Sequence, residues 1–304
     1  MYSLYKRGAA CLALLLAMVM FMPASLARHK EVKPDKILFI PHDNRPVSDK
    51  QTAEVVKKLG YEVVVPPENM LGNREDLGNP DALWEWLKDN AREAKAAVIS
   101  SDSLVYGSLV GSRKHNYNRG EVIERVSRFQ QFRQENPKLP LYVFGSIMRT
   151  PRSGTASGYE EPKYYRSYGG DIFRYTALTD KEEIEGLSHR ETKEKAFLRE
   201  LIPKRDLNDW LGRREKNFAV NEELIKLTRK NVFDYLVLGR DDNAPYCQTH
   251  MESRHLSEAG KDLGKTRFQT MAGIDEMAML LMARSVNTLR REVPSVYTRY
   301  NWGR

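Results

Sequence analysis

Six short stretches rich in Val, Ile, Leu, Phe or Tyr punctuate the chain, each of strand length: Lys36 to Pro41, Tyr61 to Pro66, Ala96 to Ser101, Leu141 to Met148, Asp234 to Gly239 and Thr266 to Ala272. Several are continuous apolar runs rather than alternating ones, which predicts strands buried on both faces. Between them the apolar positions take helical spacing. Ser48 to Leu59 follows an N-cap residue, Asp81 to Ala94 carries Leu83, Trp84 and Leu87, and Gly120 to Asn136 carries Val122, Val126, Phe129 and Phe132. This alternation predicts an α/β fold of parallel strands with helical crossovers, either TIM-barrel-like or doubly wound.

The middle breaks the rhythm. Thr150 to Arg174 is rich in Gly, Ser, Pro, Tyr and Arg and reads as a long loop over the site, while Asp180 to Lys230 reads as a densely charged helical layer. Together they predict an insertion at about 150–230 in one α/β domain spanning 28–304. Val296 to Tyr300 reads as the start of another strand, so the fold is expected to be incomplete at its C-terminus.

The N-terminus carries a separate signal. Lys6 and Arg7 precede an apolar run from Gly8 to Met22, then Pro23 and the small-residue stretch Ser25-Leu26-Ala27. That is the layout of a secretory signal peptide cleaved near Ala27, and the run is short for a membrane span. The expected location is therefore secreted or extracytoplasmic. Cys247 is the sole cysteine beyond this segment, so stability must come from a core rather than an internal disulfide. The net charge of +8 falls to +6 without Lys6 and Arg7. Such a charge favours peripheral contact with an anionic envelope, and nucleic acid is not an expected partner there. Oligomeric state stays open.

Candidate chemistry follows from where polar residues fall. After the first strand stands Pro41-His42-Asp43-Asn44-Arg45; after the third, Ser101-Asp102-Ser103 and then Tyr106; after the fourth, Arg149. The fifth is followed by Arg240-Asp241-Asp242-Asn243 with Tyr246 beyond, and the sixth by Gly273-Ile274-Asp275-Glu276. In parallel α/β folds these strand ends share one edge, so the residues converge there. Turn chemistry also favours Asp, Asn, Gly and Pro at such places, and acids at a helix start suit its dipole. Adjacent Asp241 and Asp242 repel one another against a buried strand, which calls for a counter-ion or a function.

Three uses of such a rim are open. Paired carboxylates suit glycoside hydrolysis, with Asp241 or Asp242 and Asp275 or Glu276 as acid and base. Asp43, Asn44, Arg45, Asp102, Tyr106, Arg149 and Tyr246 would then bind a carbohydrate or other small polar ligand. His42, Asp43, Asp241, Asp242, His250 and His255 are possible ligands of a metal-dependent hydrolase, although none forms an HExxH pair. The third use is glycan or anion binding without catalysis. There is no GxSxG elbow, Walker loop or GxGxxG fingerprint, so no cofactor is expected. Cys247 reads as a packing residue.

The stretches ILFIPHDNRPVS, PPENMLG, SSDSLVYGSLVGSR, LGRDDNAPY and GIDEMAMLLMAR together resemble a bacterial, exported family known as DUF4127, from about Lys36 to the C-terminus. The family pattern has a second aspartate where this chain has Asn44, a Gln at Arg240 and a Gly at Cys247. The resemblance implies longer members with a further α/β portion, hence a short member here. It implies no reaction, and no residue role comes with it.

Overall fold

The computed structural model describes residues 33–153, 160–241 and 243–299. The expected signal segment and Asp242 lie outside them. The strands are β1 (Lys36–Ile40), β2 (Glu62–Val64), β3 (Ala94–Ser100), β4 (Leu141–Ser146), β5 (Tyr235–Arg240) and β6 (Phe268–Ala272). The helices are α1 (Lys50–Lys58), α2 (Pro80–Asn90), α3 (Ser101–Tyr106), α4 (Gly111–Lys114) and α5 (Arg119–Glu135), followed by α6 (Tyr165–Glu185), α7 (His189–Leu201), α8 (Lys204–Arg229), α9 (Gln248–Ala259) and α10 (Met277–Arg290).

All six strands pair in parallel in the order β2-β1-β3-β4-β5-β6. The sheet is open, so of the two architectures the sequence allows it is the doubly wound one. The two-residue period of a strand divides each apolar run between two cores. Ile37, Phe39, Val98, Phe144 and Val237 pack with Ala53 and Val56 of α1 and with Met277, Leu281 and Met282 of α10. Leu38, Ile40, Ile99, Val143 and Leu238 pack instead with Leu83, Trp84 and Leu87 of α2, Phe129 and Phe132 of α5, and Leu224 of α8. Each such fully buried side chain contributes on the order of 2 kcal/mol. Trp84 also satisfies its indole, donating to the Leu104 carbonyl at 3.0 Å, and meets Phe129 edge-on at 4.8 Å.

The chain runs from β1 outward to β2, then reverses to β3 and continues to β6. That reversal makes a topological switch point at the C-terminal ends of β1 and β3, the crevice at which ligands bind in open α/β sheets; here its side chains His42, Asp43 and Asp102 are buried. Gly107 ends α3 at a φ of +98°, and an added side chain there would strike the Leu77 carbonyl. Gly145 in β4 likewise leaves room for the Ser101 hydroxyl, which donates to the Phe144 carbonyl at 3.2 Å.

Between β4 and β5 the chain is helical, and the first of these helices starts earlier than its composition suggests. Tyr165 to Arg174, expected as loop, forms the start of α6, because Tyr165 and Ile172 pack against Trp210 and Ile202 in a third apolar cluster. α8 joins the layers: Leu207 and Trp210 belong to that cluster, while Val220, Leu224 and Ile225 face the sheet. The strand expected from Val296 does not form. Residues 292–299 have no regular structure, and Val296 and Tyr297 are exposed, with no neighbouring strand edge to pair them; Tyr300 lies outside the described residues.

Candidate functional site

β1 ends at Ile40 because the next residue, Pro41, has no amide proton for the ladder. Hydroxyls from α3 then hold the turn. Ser103 Oγ donates to the carbonyls of Pro41 at 2.5 Å and His42 at 3.1 Å, and the Leu109 amide donates to His42 at 3.0 Å. This fixes His42, whose side chain is 2% exposed. Its Nδ1 lies 2.9 Å from Ser100 Oγ and 3.2 Å from Asp102 Oδ2, and its ring meets Phe144 edge-on at 4.6 Å. The Asp102 contact is close without hydrogen-bond alignment, for Oδ2 has no hydrogen-bond partner among the described residues. Nε2 of His42 has none either. A buried polar atom left unpaired is costly, so both are places where a ligand or water would be gained.

The next residues build an ionic bridge. Asp43 accepts from the Arg45 backbone amide at 3.2 Å and from Nε at 3.0 and 2.9 Å, while Arg45 Nη2 donates to Asp275 Oδ1 at 3.0 Å. Burial lowers the pKa of Arg45, but Asp43 and Asp275 outweigh it and leave the pKa raised. The bridge thus joins the loop after β1 to the loop after β6, two ends that lie on opposite sides of β3, β4 and β5. Asn44 serves the neighbouring turn, its amide donating to the Gly72 carbonyl at 3.0 Å and its side chain reaching Glu68 at 3.4 Å. Glu276 is the residue before α10, exposed and without a capping hydrogen bond.

A second constellation sits beyond the ends of β3, β4 and β5. Arg113 of α4 is 2% exposed, with Glu160 at 3.4 Å, Glu161 at 3.7 Å and Asp241 at 3.6 Å. Arg149 pairs with Glu161 at 2.8 Å and Glu160 at 2.9 Å. Burial, reinforced by Arg149, lowers the pKa of Arg113; burial also raises that of Glu161 against the pull of Arg113 and Arg149. Among the described residues Arg113 Nε and Glu161 Oε2 have no hydrogen-bond partner, and Arg149 Nη2 has only its ion pair with Glu160. Behind them Arg214 of α8 makes a two-pronged pair with Glu252 of α9, at 2.8 and 2.6 Å, and donates to the Met148 and Arg149 carbonyls.

Residues 37–304 match a family described as protein of unknown function, DUF4127. The chain belongs to the DUF4127 family. A comparison with curated proteins finds none that matches. The motifs of the resemblance fall largely on one edge of this DUF4127 sheet: the HDNRP turn, the SSDS start of α3, the acid after β5 and the GIDE turn before α10.

Not every expected residue reaches that edge. Tyr106 lies in the core, 1% exposed, stacked 4.8 Å from His115 and accepting from Asn217 at 3.4 Å. Its helical turn points it inward, so it does not line the crevice; burial, then Asp102, raises its pKa well above normal. Tyr246 stands beside Glu185 of α6 rather than beside Arg45 or Asp102, with its pKa raised by burial and by that hydrogen bond. Asp241 is partly exposed beside Arg113, and Asp275 is partly exposed beside Arg45, so each acid has an arginine counter-ion. The possible metal ligands are dispersed. His250 pairs with Asp180 at 2.6 Å and His255 with Glu183 at 2.6 Å, and among the described residues no group of three or more His, Cys, Asp or Glu is placed to hold a metal ion. Cys247 is buried at the N-cap of α9, where its Sγ accepts the His250 amide at 3.4 Å.

Sequence reasoning missed Arg113, Glu160, Glu161, Arg214 and Glu252. Arg113 carried a usable signal, since it closes the SSDSLVYGSLVGSR stretch. The others come from helices or the long loop, where a charged residue looks like any solvated one.

Proposed function

We propose that this DUF4127 chain is a hydrolytic enzyme acting on a carbohydrate or a similar hydroxyl-rich polar substrate, with His42 as its proton-transfer group. The observation that supports this is the buried imidazole held at Nδ1 by Ser100, with Asp102 Oδ2 3.2 Å away, while Nε2 has no hydrogen-bond partner among the described residues. With the proton on Nδ1, Nε2 accepts a proton from water or a substrate hydroxyl, and Asp102 stabilises the imidazolium that results. Arg45, anchored by Asp43 and Asp275, orients an oxygen of the substrate at the same crevice.

The test is a screen of the mature protein against envelope and plant polysaccharides with reducing-end detection, followed by H42Q on the substrate found. Loss of about 10²–10⁴-fold in turnover with an unchanged circular dichroism spectrum is expected. Unchanged turnover would remove His42 from the reaction. A second reading, paired-carboxylate glycoside hydrolysis, draws support from the partial exposure of Asp241 and Asp275 on this rim. It predicts that D241N and D275N, rather than H42Q, abolish turnover. A non-catalytic glycan-binding protein would show calorimetric binding without any turnover. Export is part of the proposal and rests on the N-terminal Lys6-Arg7, apolar and Ala27 pattern. N-terminal sequencing of envelope-fraction protein is expected to begin at Arg28.

A further inference from the structure

Beside the arginine constellation, on the side of the inserted layer, lies a cavity of about 740 Å³, within the usual size of small-molecule sites. Lys114, Asn116, Glu161, Pro162, Lys163, Arg166, Ser167 and Arg213 line it. We propose that this cavity binds an acidic oligosaccharide, with anionic groups held by Lys114, Lys163, Arg166 and Arg213 and a sugar hydroxyl donated to Glu161.

The first support is the charge balance. Four cations face one carboxylate, and that carboxylate is already committed to Arg149 and Arg113. Arg213 is shared with Asp209 at 2.7 Å, but Lys114 and Lys163 make no ion pair among the described residues. The surroundings add further positive charge, for Lys216 lies close enough to Arg213 that burial and that neighbour lower its pKa. His115 is pushed down to about 3 by burial and then by Lys216, Arg213 and Arg125. Burial is the larger cause of both shifts; the smaller share, from the neighbouring Arg and Lys charges, has the sign that favours an anion.

The second support is Glu161 Oε2. It is a buried acceptor with no hydrogen-bond partner among the described residues, in a wall that supplies Lys and Arg donors. An inorganic anion offers it nothing, whereas a sugar acid brings hydroxyl donors along with its charge. Among the described residues no Phe, Tyr or Trp lines the cavity, so these supply no stacking platform of the kind single-stranded nucleic acids use. The anionic character follows from these side chains; the sugar framework rests jointly on Glu161 and on the carbohydrate reading above.

Isothermal titration calorimetry of the mature protein with oligogalacturonate, neutral dextran fragments, inorganic tripolyphosphate and a short single-stranded DNA tests this. Oligogalacturonate is expected to bind most tightly, to weaken as salt rises, and to lose about tenfold or more in affinity with K114A/K163A, while K50A/K58A on α1 leaves it unchanged. Equal binding of dextran, unchanged affinity in K114A/K163A, or tighter binding of tripolyphosphate or DNA than of oligogalacturonate would overturn it. H42Q separates the two proposals. It is expected to retain oligogalacturonate binding, so a failure of the His42 reaction leaves this site standing and a failure here leaves the reaction standing.

Discussion

The crevice at His42 and the constellation around Arg113 lie on the same sheet edge, yet they are made differently. Short groups tied to backbone make the crevice: Ser100, Asp102 and Ser103 all sit at the junction of β3 and α3, and the histidine they hold is on the adjacent strand end. Long side chains from α4, α8, α9 and the loop before α6 make the constellation, and they neutralise one another as ion pairs while Arg113 Nε and Glu161 Oε2 keep no hydrogen bond among the described residues. The first leaves a lone basic nitrogen in a rigid setting, which suits proton transfer. The second concentrates balanced charge in a low-dielectric setting, which suits holding the inserted layer against the sheet and favouring anions nearby.

The sharpest way to break this contrast is H42Q, expected to cost about 10²–10⁴-fold in turnover while leaving the thermal midpoint within a few degrees. A collapse of the fold instead would make the crevice as structural as the constellation. Next in size is R214A, which strands Glu252 in the interior and is expected to destabilise by about 3–5 kcal/mol, lowering the thermal midpoint by roughly 10 °C. Replacing both partners, R214M with E252L, should cost much less, and equal losses for the single and double variants would contradict the ion-pair account.

A smaller effect is expected from pH. His115 has its pKa depressed in the fold, from 6.5 to about 3, so the unfolded chain binds the extra proton first. Its contribution is fully present above 6.5 and is lost as pH falls toward about 3. Denaturant unfolding followed from pH 7 downward should show this slope in the wild type and a shallower one in H115N. The smallest effect belongs to D275N. Its pair with Arg45 is partly exposed, so stability should change by no more than about 1 kcal/mol by chemical denaturation. A turnover loss as large as that of H42Q would instead move the chemistry onto the carboxylates.

Much of the scaffold was legible without coordinates. Six strands lie where the apolar stretches stand; β1, β4 and β5, covered on both faces, are the nearly continuous apolar runs, whereas the edge strands β2 and β6 keep polar, partly exposed positions. The rim was legible because parallel strands put all their C-terminal ends on one side. Tyr106 misled because a single helical turn after β3 rotates it into the core, and a turn of that length leaves no periodicity. Val296 to Tyr300 misled because β-forming residues need a partner edge, and 292–299 meets none.

By itself, then, the sequence determined the α/β class, the family, and the strand ends on which the polar residues would gather, since these depend on local patterns of two and three to four residues. Only the tertiary structure decided that the sheet is open, that His42 rests on Ser100 and Asp102, and that Arg45 bridges Asp43 to Asp275. It also decided that Arg113 and Arg149 meet Glu160 and Glu161 rather than solvent. Such partnerships join residues up to 230 positions apart, and a charged side chain carries no local mark of the counter-ion that the fold will bring to it.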